Sequence, residues 1–387
     1  MSGIIEYTGR GESTLIPGAA RRRRSDADVV EKLGYPHFIL KEIHEQPEAV
    51  LATLCDRLDM EKADAWLPEL CLKDHELIGL TRLLFVACGP SWHAALAGKY
   101  LVESFARLPV DVEIASEFLD RPAVLDARVL TVAISHSGES PDTVAALRAA
   151  RRNGSLGVAI SEMAESRLVR EADGVVYTRA GAERGVSSTK AFTAQLAAVT
   201  LLALRLGVAR RMLATNQARA ILHALRETPS MMEQVLEDDD VTRGAAAWFR
   251  DRRHFIHLGR SLHYPIALEG ALKFKEMACV HAEGYAGGEM KHGPLALVCP
   301  GLPVVAVAPS GPNQAKMAGN IHEVKARGGI VIAVADPGSE AATLADVVLP
   351  VPSAPFWVQP MLTILPLQLV AYHLGVLRGC PVDTRST

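Results

Sequence analysis

Short apolar runs alternate with amphipathic segments along most of the chain. In the first half, five runs rich in aliphatic and β-branched residues end at glycine or at polar residues. We predict strands over these runs, at 83–88, 110–114, 129–135, 156–160 and 174–177, and helices at 92–107, 141–153 and 189–206. Strands that alternate with helices in this way indicate a parallel sheet with helices on both faces.

The same pattern starts again in the second half. Four further apolar runs predict strands at 255–258, 304–308, 330–335 and 347–350. Two amphipathic segments predict helices at 265–278 and 313–327. Each half opens with the motif Phe-x-x-x-Gly-x-Ser, first at Phe85 and again at Phe255. A repeat that spans nearly half of the chain indicates duplicated domains rather than a solenoid. We therefore predict an α/β fold of two similar domains, joined by a helical stretch near 207–250.

The chain divides into three predicted segments. Residues 1–34 form a flexible leader rich in Gly, Pro and Arg, in which residues 21–24 are all Arg. Residues 35–225 form the first domain, which opens with a helical region over 35–80. Residues 226–387 form the second domain, and its apolar stretch 361–374 is predicted to be a buried terminal helix.

Composition and charge narrow the function classes. Hydrophobic residues make up 49% of the 387 residues, enough for two sizeable cores, and the net charge is −3. A charge this close to zero favours neither nucleic acid nor an anionic membrane as a partner. The N-terminus has no signal-peptide pattern, and the apolar runs are too short or too interrupted to span a bilayer. We predict a cytoplasmic protein.

The sequence implies no metal and no organic cofactor. The six cysteines are scattered and none forms a Cys-x-x-Cys pair, which argues against zinc and fits a reducing compartment. The nucleotide-binding signature Gly-x-x-x-x-Gly-Lys-Ser/Thr is absent. The turn Gly89-Pro90-Ser91 also lacks the glycine spacing of a dinucleotide fingerprint.

The segment after the third predicted strand is rich in hydroxyl groups. It reads Ser-His-Ser-Gly-Glu-Ser over residues 135–140 and leads into a helix, with Ser140 at the N-cap and Pro141 at the first helical position. Free backbone N–H groups and the helix dipole make such a helix start an anion site. Ordinary capping at a strand–helix turn explains the segment equally well when it is taken alone.

Hydroxyl-rich turns occur at two further predicted helix starts. Ser91 follows the first strand, and Gly-Val-Ser-Ser-Thr-Lys occupies residues 185–190. Each turn by itself is explained by a helix cap. Three such turns in one α/β domain favour a polar ligand at the carboxyl edge of the sheet, where open α/β folds bind their ligands.

A second group of polar residues could carry acid–base chemistry. Glu269, Lys273 and Glu276 are spaced four and three apart on a predicted helix, and they therefore share a face. A surface salt-bridge ladder would explain this spacing, but the neighbouring residues are small and apolar, which predicts a buried helix. His292 follows in a glycine-flanked loop, and that setting favours a catalytic over a structural histidine.

A carboxylate beside a titratable histidine suits aldose–ketose chemistry. Moving a carbonyl between C1 and C2 of a sugar needs a base that lifts a proton from one carbon and returns it to the other. A second group must pass a proton to or from the ring oxygen. A phosphate bound far from the reacting carbons would supply the positioning.

These motifs together resemble a known family. About nine tenths of the chain resembles the isomerase half of the glucosamine-6-phosphate synthases, within the sugar isomerase (SIS) family. Five stretches carry the resemblance, at 41–47, 134–143, 185–195, 264–273 and 289–296. It implies two SIS domains, a hexose 6-phosphate substrate and a homodimer with a shared active site.

The resemblance also implies roles for single residues. It implies that Glu276 moves the proton between C1 and C2, and that His292 is donated by the neighbouring subunit to open the ring. Lys273 would lie beside the reacting carbonyl carbons. Substrate contacts are implied for six further residues, namely Ser91, Ser135, Ser137 and Ser140 with the phosphate and Val186 and Ser188 with the sugar.

The sequence departs from the family pattern in the ligand loops and at both ends. Pro90 and His136 replace the usual Thr and Gln, and we keep His136 as a predicted substrate contact. Ser2 stands where the synthases carry the nucleophilic cysteine of their glutaminase domain, and the leader then runs into the isomerase half. The synthases' tail lysine has no counterpart after Asp383. We expect no glutaminase activity and no Schiff-base help from the tail.

Three functions remain open on the sequence. The leading one is a deaminase/isomerase of amino-sugar metabolism that interconverts glucosamine 6-phosphate and fructose 6-phosphate plus ammonia. A nitrogen-free aldose–ketose isomerase of a specialised pathway is the second, and a non-catalytic sensor of sugar phosphates is the third. Because a sensor has no need of a proton shuttle, the presence of both Glu276 and His292 favours an enzyme.

Overall fold

Two parallel five-stranded sheets, each with helices on both faces, organise the computed structural model, which describes residues 32–383. The α/β fold and the duplication predicted from the sequence are confirmed. The Arg run at 21–24 lies outside the described residues. The predicted domain boundary at 225/226 falls inside one long helix, Thr215–Glu237, and stays a prediction.

The region before the first sheet is only partly helical. It contains helices α1 (Phe38–His44), α2 (Gln46–Leu54) and α3 (Asp74–Gly79), with a short antiparallel hairpin, β1 (Leu58–Asp59) and β2 (Asp64–Ala65), between the last two. A 3₁₀ turn at Pro68–Leu70 follows the hairpin. The prediction of helix throughout 35–80 is therefore wrong in its middle, because Asp56 and Ala63 adopt positive φ angles that interrupt a right-handed helix.

The first sheet has the strand order β4–β3–β5–β6–β7. Its strands are β3 (Arg82–Ala87), β4 (Val110–Ile114), β5 (Val129–Ile134), β6 (Leu156–Ser161) and β7 (Gly174–Tyr177). The helices of this half are α4 (Gly89–Ala106), α5 (Ala115–Leu119), α6 (Pro141–Arg152), α7 (Arg167–Arg170) and α8 (Lys190–Ala209). All five predicted strands are present, with ends that move by one residue at most.

Two helices lead from the first sheet to the second, α9 (Thr215–Glu237) and α10 (Asp240–Trp248). The second sheet comprises β8 (His254–Gly259), β9 (His281–Ala286), β10 (Pro303–Val307), β11 (Ile330–Ala335) and β12 (Val347–Pro350). Its helices are α11 (Tyr264–Ala278), α12 (Gln314–Ala326), α13 (Glu340–Leu344) and α14 (Gln359–Leu377). Short 3₁₀ turns lie at Ser261–His263, Gly287–His292 and Pro294–Leu297.

The second sheet repeats the topology of the first. Its order is β9–β8–β10–β11–β12, so in both sheets the second strand lies outside the first and the remaining three follow on the other side. Strand β9 was not predicted, because an edge strand that reads His-Ala-Glu-Gly-Tyr-Ala has no apolar run. In this topology the strand order reverses between the first and third strands, which are parallel neighbours, and this leaves a crevice at their carboxyl ends.

The two halves share one apolar core. Residues of α8, α11 and α14 belong to a single continuous cluster that reaches both sheets. Contrary to the expectation from the sequence, helices α8 and α14 are long and apolar enough to span a membrane, but 89% and 83% of their most apolar stretches are buried inside the fold. Burial of this extent is what core helices require, and the buried terminal helix predicted at 361–374 is confirmed.

Candidate active site

Two helix N-termini meet at the crevice of the first sheet. Helix α4 begins at Gly89 directly after β3, and α6 begins at Pro141 after β5, the strand that pairs with β3. The Sγ atom of Cys88 lies 3.6 Å from the hydroxyl of Thr143, which ties the two helix starts together. Ser91 stands in the first turn of α4. Two helix dipoles and their free N–H groups therefore face one edge of the sheet.

Hydrogen bonds within the loop organise the segment between β5 and α6. The hydroxyl oxygens of Ser135 and Ser140 lie 3.0 Å apart, and Ser135 Oγ also accepts the N–H of Gly138 at 3.1 Å. Ser137 is exposed, and its hydroxyl accepts the N–H of Glu139 at 3.2 Å. Ser140 occupies the predicted N-cap position, yet its side chain makes no cap bond. Its hydroxyl faces Ser135 instead, inside the loop where a ligand would lie.

The shape of this loop depends on a glycine and on an ion pair behind it. Gly138 has a φ angle of +63°, and a Cβ atom there would lie 2.1 Å from the hydroxyl of Ser166. The carboxylate of Glu139 pairs with the Arg167 guanidinium at 2.5 Å. His136 is half-buried, and its Nδ1 atom has no hydrogen-bond partner among residues 32–383. Within the predicted ligand loop, the ring thus has a buried polar atom without a protein partner in the described part of the chain.

Helix α11 carries an ion cluster in which two of the three side chains are fully buried. The side chains of Glu269 and Lys273 have no solvent exposure, whereas 31% of the Glu276 side chain is exposed. The Nζ atom of Lys273 lies 3.0 Å from Glu269 Oε1 and 2.9 Å from Glu276 Oε2. The structure therefore excludes a surface salt-bridge ladder for these residues and agrees with the buried helix predicted from the small apolar neighbours.

The cluster keeps Lys273 charged. Burial by itself would lower the pKa of Lys273, but the carboxylates of Glu269 and Glu276 outweigh it and raise the pKa above its usual value. Burial would likewise raise the pKa of Glu269, yet the charge of Lys273 and a hydrogen bond from His93 lower it overall. The amine is held as a cation, so it can stabilise negative charge that develops beside it.

Ser187 joins the loop after β7 to this cluster. Its hydroxyl accepts a hydrogen bond from Lys273 Nζ at 2.5 Å and donates one to Glu276 Oε2. The carbonyl oxygen of Ser188 accepts a further bond from Lys273 at 2.8 Å. The family resemblance implies sugar contacts at Val186 and Ser188, but it does not single out Ser187. Its one signal was its place in the hydroxyl-rich turn, which does not distinguish adjacent serines.

Two carboxylates hold the same loop, one from helix α1 and one from within the loop itself. Glu42 of α1 is buried and accepts the backbone N–H groups of Arg184 and Gly185. Glu183 accepts the Ser188 hydroxyl at 3.0 Å and the Thr189 N–H at 2.8 Å, at the start of α8. Glu42 was missed by sequence reasoning, because its partners lie about 140 residues away in the chain.

The remaining predicted residues lie at the border of the site. The N–H of Val186 donates to the carbonyl of Val382 at 3.4 Å, so the described end of the chain packs beside the loop. His292 ends the 3₁₀ turn Gly287–His292 and is exposed. Within residues 32–383 its side chain makes no hydrogen bond or ion pair, with Glu276 or with any other residue. The structure thus brings Lys273 and Glu276 together without His292.

Comparison with known proteins identifies the class that this fold and site define. The SIS domain family model matches residues 76–205 and 249–378, which contain the two sheets. The chain therefore belongs to the SIS domain family.

Among its relatives are the glutamine–fructose-6-phosphate aminotransferases (isomerizing) of Methanosarcina acetivorans and Thermus thermophilus, each 44% identical to it. These matches cover 92% and 98% of this chain but 58% and 63% of the relatives' own length.

A solved structure shows which part of such a relative the chain matches. The C-terminal domain of glucosamine-fructose-6-phosphate aminotransferase from Francisella tularensis superposes with a TM-score of 0.86 at 38% identity. The match covers 92% of this chain and 100% of that domain. The resemblance to the isomerase half is thereby confirmed over the whole of that domain.

Proposed function

We propose that this chain is an SIS-family enzyme that interconverts glucosamine 6-phosphate with fructose 6-phosphate and ammonia. The observation that carries the proposal is the partly exposed carboxylate of Glu276, which buried Lys273 and Ser187 hold in one orientation. A base with a fixed direction and access to a ligand is what proton transfer between adjacent carbons requires.

The loop of residues 135–140, hereafter the serine loop, supports binding of the 6-phosphate. In the proposal, the N-termini of α4 and α6, with Ser91, Ser135, Ser137 and Ser140, receive the phosphate without a lysine or arginine. Neutral donors and helix dipoles suit an anion that must also leave. Val186, Ser188 and His136 would contact the sugar from the neighbouring loops.

The chemistry assigned to helix α11 is a proton transfer. Glu276 would take the proton from C2 of the open-chain aldose and return it to C1, through an enediol whose developing negative charge lies beside the Lys273 cation. With ammonia as the nitrogen donor, the reverse transfer, from C1 to C2, would convert the fructose-derived imine into glucosamine 6-phosphate. Without it, the site would perform plain aldose–ketose isomerisation.

We also propose a homodimer in which His292 serves the partner's site. The exposure of His292, and its lack of any side-chain bond within residues 32–383, support a role completed across a subunit interface. Mixing the inactive variants Glu276→Gln and His292→Asn under exchange conditions should restore activity, because half of the sites in a mixed dimer would be intact. If each variant is inactive and the mixture stays inactive although mixed dimers form, the shared site is wrong.

One assay tests the proposed reaction. The purified chain is incubated with glucosamine 6-phosphate, and separately with fructose 6-phosphate, each with and without ammonium, and ammonia and glucose 6-phosphate are measured. Release of ammonia supports the proposal, and glucose 6-phosphate alone supports the nitrogen-free isomerase. Binding of the sugar phosphates without any product would support a sensor. A cytoplasmic location remains a prediction, which fractionation of the producing cell would check.

A further inference from the structure

A chain of buried contacts links the two SIS units through the ion cluster. His93 Nδ1 donates a hydrogen bond to Glu269 Oε2 at 2.6 Å, while Glu269 Oε1 lies 3.0 Å from Lys273. Lys273 in turn contacts Glu276 and Ser187. His93 belongs to α4 of the first unit, and the two glutamates belong to α11 of the second. This series of contacts thus crosses from one domain to the other.

His93 lies on helix α4, whose N-terminus forms part of the predicted phosphate site. It lies two residues after Ser91, in the first turns of α4, and its side chain is buried. The start of α4 is tied to α6 through Cys88 and Thr143. Helices α4 and α11 also pack directly against each other. A shift at the phosphate-binding end of α4 would therefore move the imidazole that Glu269 contacts.

The charges of the cluster make that contact consequential. Lys273 Nζ has three hydrogens and four acceptors within 3.0 Å, namely carboxylate oxygens of Glu269 and Glu276, the hydroxyl of Ser187 and the carbonyl of Ser188. The acceptors compete for it. Without the hydrogen bond from His93, the buried carboxylate of Glu269 would lack one of its two partners and would attract Lys273 more strongly. Lys273 would then be drawn away from Glu276 and Ser187.

We propose that His93 is a positioning residue that orients Glu276 indirectly, through Glu269 and Lys273. In this way His93 couples the phosphate-binding helix α4 to proton transfer. This inference rests on the proposed function and adds to it a residue that touches neither the substrate nor Glu276. The coupling predicts that loss of His93 lowers kcat while the phosphate grip, and with it substrate binding, is retained.

The test compares His93→Ala with His93→Asn. The Nδ2 group of asparagine lies at the same number of bonds from the backbone as Nδ1 of histidine, so it restores the donor to Glu269. For His93→Ala we expect kcat to fall at least tenfold with KM for the sugar phosphate within threefold of wild type. For His93→Asn we expect kcat within threefold of wild type. Thermal unfolding of each variant is the control for folding.

His373 provides a matched control. Its Nε2 atom pairs with Asp239 Oδ2 at 2.7 Å in a similarly buried setting, and it has no hydrogen bond or ion pair with the Glu269–Lys273–Glu276 cluster in the described part of the chain. His373→Asn should leave kcat within twofold of wild type.

An unchanged kcat in His93→Ala would overturn the positioning role and leave the proposed function standing. If kcat falls in His93→Ala and is not restored in His93→Asn, His93 has only a structural role. That result would also overturn the positioning role. If the wild-type protein has no turnover, the proposed function fails first, and the positioning role fails with it.

Discussion

The hydroxyl oxygen of Ser187 lies 2.5 Å from the Nζ atom of Lys273 and donates its own hydrogen to Glu276. One serine thus connects the loop after the first sheet to a helix of the second. Because Ser187 is buried, water does not readily replace its hydroxyl. The orientation of Glu276 therefore depends on a residue from the other SIS unit.

Replacing Ser187 with alanine should lower turnover more than substrate binding. A hydrogen bond to a charged group contributes about 1.5–3 kcal/mol, which corresponds to a ten- to hundredfold loss in kcat. Steady-state kinetics with the active sugar phosphate checks this. Ser155→Ala is the control, because Ser155 is equally buried but bonds to Thr131 at 2.7 Å, at the opposite edge of the sheet. Equal kcat losses in the two variants would contradict the role of Ser187.

Glu276→Gln should abolish turnover and retain binding. The amide preserves the shape of the side chain but removes the base, and loss of a general base costs about 10²–10⁴-fold in rate. Calorimetric titration with fructose 6-phosphate should give a dissociation constant close to that of wild type, since the serine loop is untouched. Turnover at the wild-type rate would remove Glu276 from the proposed mechanism.

Gly138→Ala should damage the serine loop beyond ordinary backbone strain. At position 138 an added Cβ would meet Ser166 Oγ at 2.1 Å, whereas at Gly154, which also has a positive φ, it would meet no atom within 4 Å. Both substitutions place alanine in the left-handed region at about 1–2 kcal/mol. Only Gly138→Ala should also raise KM, by at least tenfold, in the same kinetic assay. An equal KM in both variants would contradict a role of this loop in phosphate binding.

Glu42 should make the fold less stable as pH rises toward neutrality. Burial, and the charge of Glu183, raise the pKa of Glu42 to about 7, although backbone N–H groups of Arg184 and Gly185 oppose the shift. The folded protein therefore holds this proton more tightly than the unfolded chain, whose carboxyl has a pKa near 4.5. Its contribution to stability is complete below pH 4.5 and is lost as pH rises through about 7.

Substitution of Glu42 isolates that contribution. One proton changes the free energy of unfolding by at most about 1.4 kcal/mol per pH unit, and Glu42→Gln should remove this slope between pH 5 and 7. Urea unfolding at several pH values measures it. Glu48→Gln, at an exposed carboxylate on the next helix, should keep the wild-type slope. The same pH dependence in wild type and Glu42→Gln would rule out Glu42 as its source.

Local patterns were enough to locate most elements and part of the site. Buried parallel strands read as continuous apolar runs, so the strands at 174–177 and 330–335 have the predicted bounds. The edge strands at 110–114 and 347–350, which are less buried, also have the predicted bounds. The edge strand β9 and the β1–β2 hairpin were missed, because neither has the apolar content or the alternation by which a strand is recognised. The helix face that joins Glu269, Lys273 and Glu276 followed from spacing alone.

The sequence by itself determined the duplicated α/β fold, the family and the polar motifs at the ends of the strands, since these depend on periodicity and on residues close together in the chain. Only the tertiary structure decided which polar groups meet. His93 and Glu269 lie 176 residues apart, and Ser187 and Glu276 lie 89 apart. The packing of one sheet unit against the other brings such pairs into contact, and no local pattern records that packing. The site around Glu276 is therefore a product of the interface between the two SIS units.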